Sequence, residues 1–117
     1  MIKKIIIIYL FLASTLIMAG PGLRFESIEV KITGIDLQAQ TIDYVEKTIR
    51  KTMKFDNEVL LDGYYVSDVE TKKLVDMKLN KKYFIRIAFD DYKDEGNKDR
   101  SETYVSFIST VPYDSLY

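Results

Sequence analysis

The sequence predicts an α+β domain in which one amphipathic helix packs on an antiparallel sheet of about five or six strands. The main observation is the segment 36–55, where apolar residues recur at spacings of three and four, as on the buried face of a helix. After this segment apolar residues alternate with polar ones, which is the pattern of half-buried strands. The predicted order, after an N-terminal signal or anchor segment, is β-α-β-β-β-β.

Residues 1–22 have the three-part form of a secretory signal peptide. Two lysines form the charged start, the apolar run IIIIYLFL follows, and small residues then surround a cleavage position. An uncleaved anchor is the alternative, because residues 5–22 come close to the roughly 17–25 residues that span a bilayer. We therefore divide the chain into a signal peptide or membrane anchor at 1–22 and a single domain at 23–117. That domain is expected to be exported to the periplasm or medium, or anchored facing outward.

The first two elements of the domain are a strand and the helix. Residues 25–32 alternate in polarity and predict the strand, which Gly34 ends. Asp36 is the expected N-cap of the helix, since its carboxylate can accept from the free amide groups of the first turn. Acid-before-base pairs four residues apart support the exposed side of this helix. The predicted apolar stripe consists of Ala39, Ile42, Val45, Ile49 and Met53.

A hairpin is predicted directly after the helix. Asp62 and Gly63 separate the apolar segments 59–61 and 64–69, and Asp-Gly is a strong signal for a two-residue hairpin turn. One long strand with a bulge at Gly63 is the alternative.

Three further strands are predicted in the second half of the chain. They occupy residues 74–79, 82–90 and 103–111. In the second of them Ile85 and Ile87 share one face and Arg86 lies on the other, whereas Val105 and Phe107 of the third are expected to point inward. A charged loop at 90–102 joins the last two strands.

The composition excludes several kinds of functional site. The chain contains 0 His, 0 Cys and 0 Trp. Without Cys it has no thiol nucleophile, disulfide or thiolate metal ligand, and without His it has no imidazole base or imidazole ligand. A formal net charge of -1 gives no reason to expect a nucleic-acid partner. We therefore expect no cofactor and no catalytic residue, and we predict that the protein is not an enzyme.

The best candidate for a binding site is a set of aromatic residues on the exposed face of the sheet. The chain has 9 Tyr, a residue that combines a large contact area with a polar tip. A structural role is the alternative, because tyrosine is also a good strand former. The candidate binding residues are Tyr64, Tyr65, Arg86 and Tyr104.

These observations favour an exported, non-catalytic binding or assembly module of the bacterial cell envelope. Its partner would be another envelope or secreted protein, contacted through a sheet face or an unpaired edge strand. One alternative is a small-ligand or calcium-binding periplasmic protein, with the acidic 90–102 loop as the ion site. A hydrolase that uses only carboxylates is a further alternative. The identity of the partner, the oligomeric state and the binding of a metal stay open.

Overall fold

The computed structural model describes residues 22–68 and 70–116. The strands are β1 (Gly22–Asp36), β2 (Thr41–Glu46), β3 (Ile49–Lys54), β4 (Tyr64–Tyr65), β5 (Thr71–Lys72), β6 (Lys81–Lys93) and β7 (Asp99–Ser109). They form one seven-stranded sheet in the order β3-β2-β1-β6-β7-β4-β5, in which β4 and β7 are parallel and the other neighbours are antiparallel. The helical elements are α1 (Asn57–Asp62) and two 3-10 turns, Leu74–Asp76 and Tyr113–Leu116.

The predicted signal or anchor segment lies outside the described residues, except for Gly22. Within the part of the chain that the structure describes, no helix has the length and apolar character that a membrane crossing requires.

The predicted α+β class is wrong, because segment 36–55 is the β2–β3 hairpin and forms no amphipathic helix. Ile42 lies directly opposite Met53 across the hairpin, so the second and the last residue of the predicted stripe meet on neighbouring strands. Ile49, by contrast, is 59% exposed. β-Branched residues are stiff and fit a pleated strand better than a helix. The segment is rich in them: Thr41, Ile42, Val45, Thr48, Ile49 and Thr52.

The local chemistry expected of the helix serves turns and strands instead. The Ala39 amide donates to Asp36 Oδ1 at 2.9 Å, which is the bond of an N-cap, but it closes the turn between β1 and β2. Lys47, expected inside the helix, adopts a positive φ of 59° at the β2–β3 turn. Lys51 Nζ lies 2.9 Å from Glu46 Oε1 across the hairpin, a spacing of five residues. The same residue type that favours the start of a helix, an aspartate at position 36, therefore stabilises a tight turn here.

The predicted hairpin at Asp62 and Gly63 is also wrong. Residues 57–62 form α1, whose N-cap Asp56 accepts from the Val59 amide at 2.9 Å. Gly63 follows the helix with a φ of 76°, and a Cβ on it would lie 1.8 Å from the Lys72 carbonyl oxygen. Only glycine fits this position, because the backbone is left-handed and another strand approaches closely.

The strand predicted at 74–79 is a short 3-10 turn at Leu74–Asp76. Leu74 and Met77 are buried, whereas Val75 is 65% exposed and Leu79 is 45% exposed. The buried pair is spaced by three residues, as expected for a 3-10 turn, so the apparent alternation of apolar residues was misleading.

The strands predicted at 25–32, 82–90 and 103–111 are confirmed as parts of β1, β6 and β7, with different ends. β6 pairs with β1 on one side and with β7 on the other, and it is the central strand of the sheet. Because β6 and β7 extend further than predicted, the connection between them shortens to residues 94–98.

The sheet curls so that its β3 end reaches β7. Phe55, the residue after β3, forms a parallel bridge with Val105 of β7, and the Asp56 amide donates to the Val105 carbonyl oxygen at 3.1 Å. Phe55 is 2% exposed and Val105 is 0% exposed. The inside of the curl holds the hydrophobic core, which includes Val30, Ile32, Ile42, Tyr44, Phe55, Val59, Tyr64, Leu74, Met77, Tyr83, Ile85, Ile87, Val105 and Ile108.

Candidate binding surface around Arg86

A β-bulge at Ser106 positions the side chains around Arg86. Arg86 of β6 lies opposite Phe107 of β7. The next residue, Ile87, lies opposite Val105, so Ser106 is an extra residue in β7. Val105 therefore faces the core with Ile87, as predicted, but Phe107 lies on the outer face with Arg86. The prediction that Phe107 points inward is wrong for this reason.

The guanidinium group of Arg86 is held by two hydroxyl groups. Its Nε donates to Ser106 Oγ at 2.9 Å, and its Nη1 donates to Tyr113 Oη at 2.6 Å. Ser106 Oγ in turn donates to the carbonyl oxygen of Arg86 at 3.2 Å. These bonds fix the side chain against the bulge and against the C-terminal 3-10 turn.

Aromatic rings surround the same guanidinium group. Its Cζ lies 4.4 Å from the ring centroid of Phe25, 4.6 Å from that of Tyr113 and 5.6 Å from that of Phe107. These distances fall within the range of cation–π attraction. Tyr65 stacks on Phe107 with ring centroids 4.8 Å apart. We call Phe25, Tyr65, Arg86, Phe107 and Tyr113 the Arg86 cluster.

The members of the Arg86 cluster other than Phe25 line a cavity of about 200 Å³ that is open to solvent. Glu58 and Asp62 of α1 line the same cavity. Among the described residues, no carboxylate lies within 4 Å of the Arg86 guanidinium, so its direct contacts are neutral. A guanidinium has further N–H donors beyond the two used here, and their planar arrangement suits a carboxylate.

Two of the four predicted binding residues, Tyr65 and Arg86, are brought together in this cluster. Tyr64 is not, because it is only 5% exposed and lies in the core. Its hydroxyl donates to the Asp76 carbonyl oxygen at 3.4 Å, and its ring packs edge-on against Tyr83. Successive residues of a strand point to opposite faces, which explains why the adjacent tyrosines separate.

Tyr104, the fourth predicted residue, borders a different cavity of about 460 Å³. This cavity also contains the carboxylates of Asp56, Asp90 and Glu102. Burial raises the pKa of Tyr104, and the negative charges of Asp90 and Asp56 act in the same direction. The Tyr104 phenol is therefore neutral at physiological pH. Because Tyr104 lines this separate cavity, it is not part of the Arg86 cluster.

Phe25 and Phe107 were missed by reasoning from the sequence, and Tyr113 was considered with the other tyrosines but was not among the four candidates. Phe25 was placed correctly on a strand, but nothing local in the sequence identifies β6 as its neighbour. Phe107 was assigned to the core because a bulge cannot be recognised from alternation alone. Tyr113 lies in a short C-terminal segment that contacts the sheet through a hydrogen bond to Arg86 and through ring packing on Phe107.

The acidic segment expected as a calcium site is organised as a hairpin turn. Asp94 Oδ1 accepts from the amides of Gly96 and Lys98 at 2.9 and 3.0 Å, and Asp94 Oδ2 accepts from Arg100 Nε at 2.7 Å. These bonds lower the pKa of Asp94, the Lys98 amide having the largest effect. In residues 22–68 and 70–116, no group of three or more acidic side chains is arranged to hold a metal ion.

Comparison with models of known protein families gave no match. A search of curated proteins likewise found no similar sequence. Functional reasoning therefore depends on the geometry described above.

Proposed function

We propose that the domain is an exported, non-catalytic binding module of the bacterial cell envelope that contacts another protein through the Arg86 cluster. The observation that carries this proposal is a half-buried guanidinium, stacked against aromatic rings, with no described carboxylate within 4 Å. A charged group in such surroundings gains most from a ligand that supplies the missing negative charge.

The residue types of the cluster are those that contribute most to protein interfaces. Arginine, tyrosine and other aromatic residues are enriched at interface hot spots. Phe25 is 49% exposed and offers apolar area beside the guanidinium. A carboxylate of the partner, from an acidic side chain or a chain terminus, could bind Arg86 while an apolar neighbour covers Phe25. Glu58 and Asp62, which line the cavity beside Arg86, would disfavour a ligand of high negative charge.

Export is supported by the composition of residues 1–22, with their lysines followed by an apolar run. The intact mass of the native protein after cell fractionation tests this part of the proposal. A mass matching residues 23–117 in a soluble envelope or medium fraction is the expected result. A full-length mass in the membrane fraction would indicate an anchored domain, and a full-length mass in the cytosol would refute export.

The binding surface is tested by affinity capture from the envelope fraction of the native host. The bait is the wild-type protein or the variants Arg86→Gln and Phe25→Ala. We expect each variant to capture at least about tenfold less partner than the wild type captures, as for truncated hot-spot residues. Leu79→Ala is the matched control for Phe25→Ala, because Leu79 is 45% exposed and lies outside the cluster.

Thermal melting of each variant separates binding from folding. Arg86 joins β6, the bulge and the C-terminal turn, so Arg86→Gln is expected to lower the melting temperature somewhat. Phe25→Ala removes a partly exposed ring and leaves those hydrogen bonds in place. If a partner binds the wild type and both variants equally, the Arg86 cluster is not the binding surface.

A further inference from the structure

Among the described residues, no strand lies beside one edge of β1 for much of its length. β6 pairs with β1 from Gly22 to Ile32, whereas β2 pairs with the other edge only from Lys31 onward. Residues 22–30 therefore present an unpaired row of backbone N–H and C=O groups, within the part of the chain that the structure describes. Such an edge is a template for another strand.

Two large apolar side chains along this edge are exposed to solvent. Leu23 is 50% exposed and Phe25 is 49% exposed. Segment 22–30 contains neither proline nor lysine, the residues that commonly block the edges of natural sheets. Its charged residues are Arg24, Glu26 and Glu29, so the two signs are mixed.

We infer that the unpaired edge of β1 pairs with the same edge of a second copy of this chain. In an antiparallel pair with its two-fold axis at Phe25, Arg24 lies opposite Glu26 of the second copy. The symmetry repeats this pair, so two pairs of opposite charges form. Opposite charges directly across neighbouring strands attract each other, and both residues project from the same face of β1.

This register is the one that the charges select. In a two-fold antiparallel pair, residues that face each other project from the same side of the sheet. Because side chains alternate between the two sides, one strand can slide along the other only in steps of two residues. One step in one direction places Arg24 opposite Arg24 of the second copy. One step in the other direction places Glu26 opposite Glu26. Both neighbouring registers bring like charges together, which is unfavourable.

The outer edge of β3 is another candidate for pairing with β1. It carries Arg50, Lys51 and Lys54, which could face the glutamates of β1. However, the end of β3 is drawn toward β7 by the bridge between Phe55 and Val105, which shortens its open edge. Pairing of β1 with β3 would also join copies head to tail and produce rings or open chains instead of simple two-fold dimers.

Pairing through β1 would also join the two Arg86 clusters. Phe25 stacks against Arg86 and would lie at the two-fold axis, so both clusters would occupy the same face of one continuous sheet. The inference goes beyond the proposed function and does not depend on it, because it rests on backbone pairing and on Arg24 and Glu26.

Disulfide trapping tests the pair and its register. The natural chain has 0 Cys, so each introduced cysteine can only pair with another introduced one. In the inferred register Leu23 lies opposite Ser27 of the second copy, within the Cα separation that a disulfide requires. The full-length double variant L23C/S27C is produced in an exporting bacterial host, exposed to a mild oxidant and analysed on a non-reducing gel.

We expect L23C/S27C to form dimers of twice the chain mass, while L23C alone and S27C alone stay monomeric. The matched control R50C/K54C places two cysteines at the same spacing on exposed positions of β3, and we expect it to stay monomeric too. Absence of dimers in L23C/S27C would overturn the inference. Equal dimer formation by either single variant would overturn the register, and equal trapping by the control would show unspecific contact.

Charge reversal provides a second test that needs no cross-link. R24E has acidic residues at both positions 24 and 26, and E26R has basic residues at both. Each variant alone should dimerise at least about tenfold more weakly than the wild type in sedimentation equilibrium of the purified exported protein. An equimolar mixture should recover dimers, because opposite charges then face each other at both pairs.

R50E is the control for charge reversal on β3 and should dimerise like the wild type. A monomeric wild type at high micromolar concentration would overturn the inference. Dimers of undiminished strength in R24E or E26R would also overturn it. Larger species that disappear in R50E would instead indicate pairing between β1 and β3.

Discussion

Two open edges of the described sheet, the outer edge of β3 and the 22–30 edge of β1, are protected to different degrees. β3 carries Arg50, Lys51 and Lys54 and no acidic residue, so two copies of this edge repel each other. The β1 edge carries one positive and two negative charges in an order that complements itself. Charge alone therefore opposes association at one edge and favours it at the other.

The two edges also differ in how they are attached to the rest of the molecule. β3 ends at Phe55, which is buried against β7 and closes the curl. Within residues 22–68 and 70–116, the first half of β1 is paired on one side only, with β6 of the β6–β7 hairpin. Edges of a sheet are a hazard that proteins block or use. In this molecule the β3 edge is blocked by charges of one sign and by closure, whereas the β1 edge carries charges of both signs and is not closed by another strand of the described chain.

Phe55→Ala is expected to have the largest effect, because it removes the residue that closes the curl. The side chain is 2% exposed, so its truncation leaves a cavity beside Val105. We expect the free energy of unfolding, measured by urea denaturation, to fall by about 3–5 kcal/mol. Hydrogen exchange of the β3 amides should become faster, since the end of the strand is released.

The exposed residue Leu61 provides the control for Phe55. Leu61 is 83% exposed, so Leu61→Ala should change the free energy of unfolding by less than about 0.5 kcal/mol. If Phe55→Ala lost no more stability than this control, β3 would not be closed by Phe55, and the two edges would be less different than we describe.

Tyr44→Phe tests the packing of β2, which lies next to β3. We expect it to change the free energy of unfolding less than Phe55→Ala does, and to raise it instead of lowering it. Tyr44 of β2 is 1% exposed, and its hydroxyl has no hydrogen-bond partner among the described residues. Removing this hydroxyl should raise the free energy of unfolding by about 1 kcal/mol. Tyr83→Phe is the matched control. The Tyr83 hydroxyl donates to the Lys78 carbonyl oxygen at 3.0 Å, so its removal should cost about 1 kcal/mol.

Tyr44→Phe should also change the response to alkaline pH. Burial raises the pKa of Tyr44 above its ordinary value of 10.0, although the nearby charge of Lys51 opposes this. A raised pKa means that the folded state favours the neutral phenol. The resulting stability is complete below the pKa of the unfolded chain and is lost as pH rises through the folded pKa. Above pH 10, the free energy of unfolding should therefore fall less with rising pH in Tyr44→Phe than in the wild type, as measured by denaturation of both proteins. Equal losses would contradict this account.

Asp94→Asn should have the smallest effect and should act on the β1 side of the sheet. Asp94 organises the turn of the β6–β7 hairpin, which is the support of residues 22–30. Hydrogen bonds from the Lys98 amide and Arg100 lower its pKa below 3.8. The lowered pKa means that the ionised Asp94 carboxylate stabilises the turn when the pH is above the pKa of this group in the unfolded chain. This stabilisation is lost as the pH falls through the pKa of Asp94 in the folded protein.

Hydrogen exchange measured residue by residue separates the two edges in this variant. We expect faster exchange in the first half of β1 and at the hairpin turn, with β3 unchanged. The wild type should lose the same protection in acid, while Asp94→Asn should show a weaker pH dependence. Equal changes in β1 and β3 would mean that the hairpin does not support β1 separately.

Sequence reasoning succeeded where strand alternation was long and uninterrupted. The predicted segments 25–32, 82–90 and 103–111 belong to β1, β6 and β7, because side chains at alternate positions must enter one core. It also identified Tyr65 and Arg86, which meet in the cluster. It failed for Phe107 and Tyr64, since the face on which each side chain lies depends on a bulge and on a two-residue strand.

The sequence by itself determined which side-chain reactions are possible and where the three long strands lie. The absence of histidine and cysteine excludes their reactions in any fold, and the order of Arg24, Phe25 and Glu26 makes the edge charges self-complementary. The tertiary structure decided the conformation of segment 36–55. Its apolar spacing suits a helix, but pairing with β1 satisfies its backbone hydrogen bonds and buries Ile42 and Tyr44 in the shared core. Local periodicity could not show this, because the partner strand is supplied by another part of the chain.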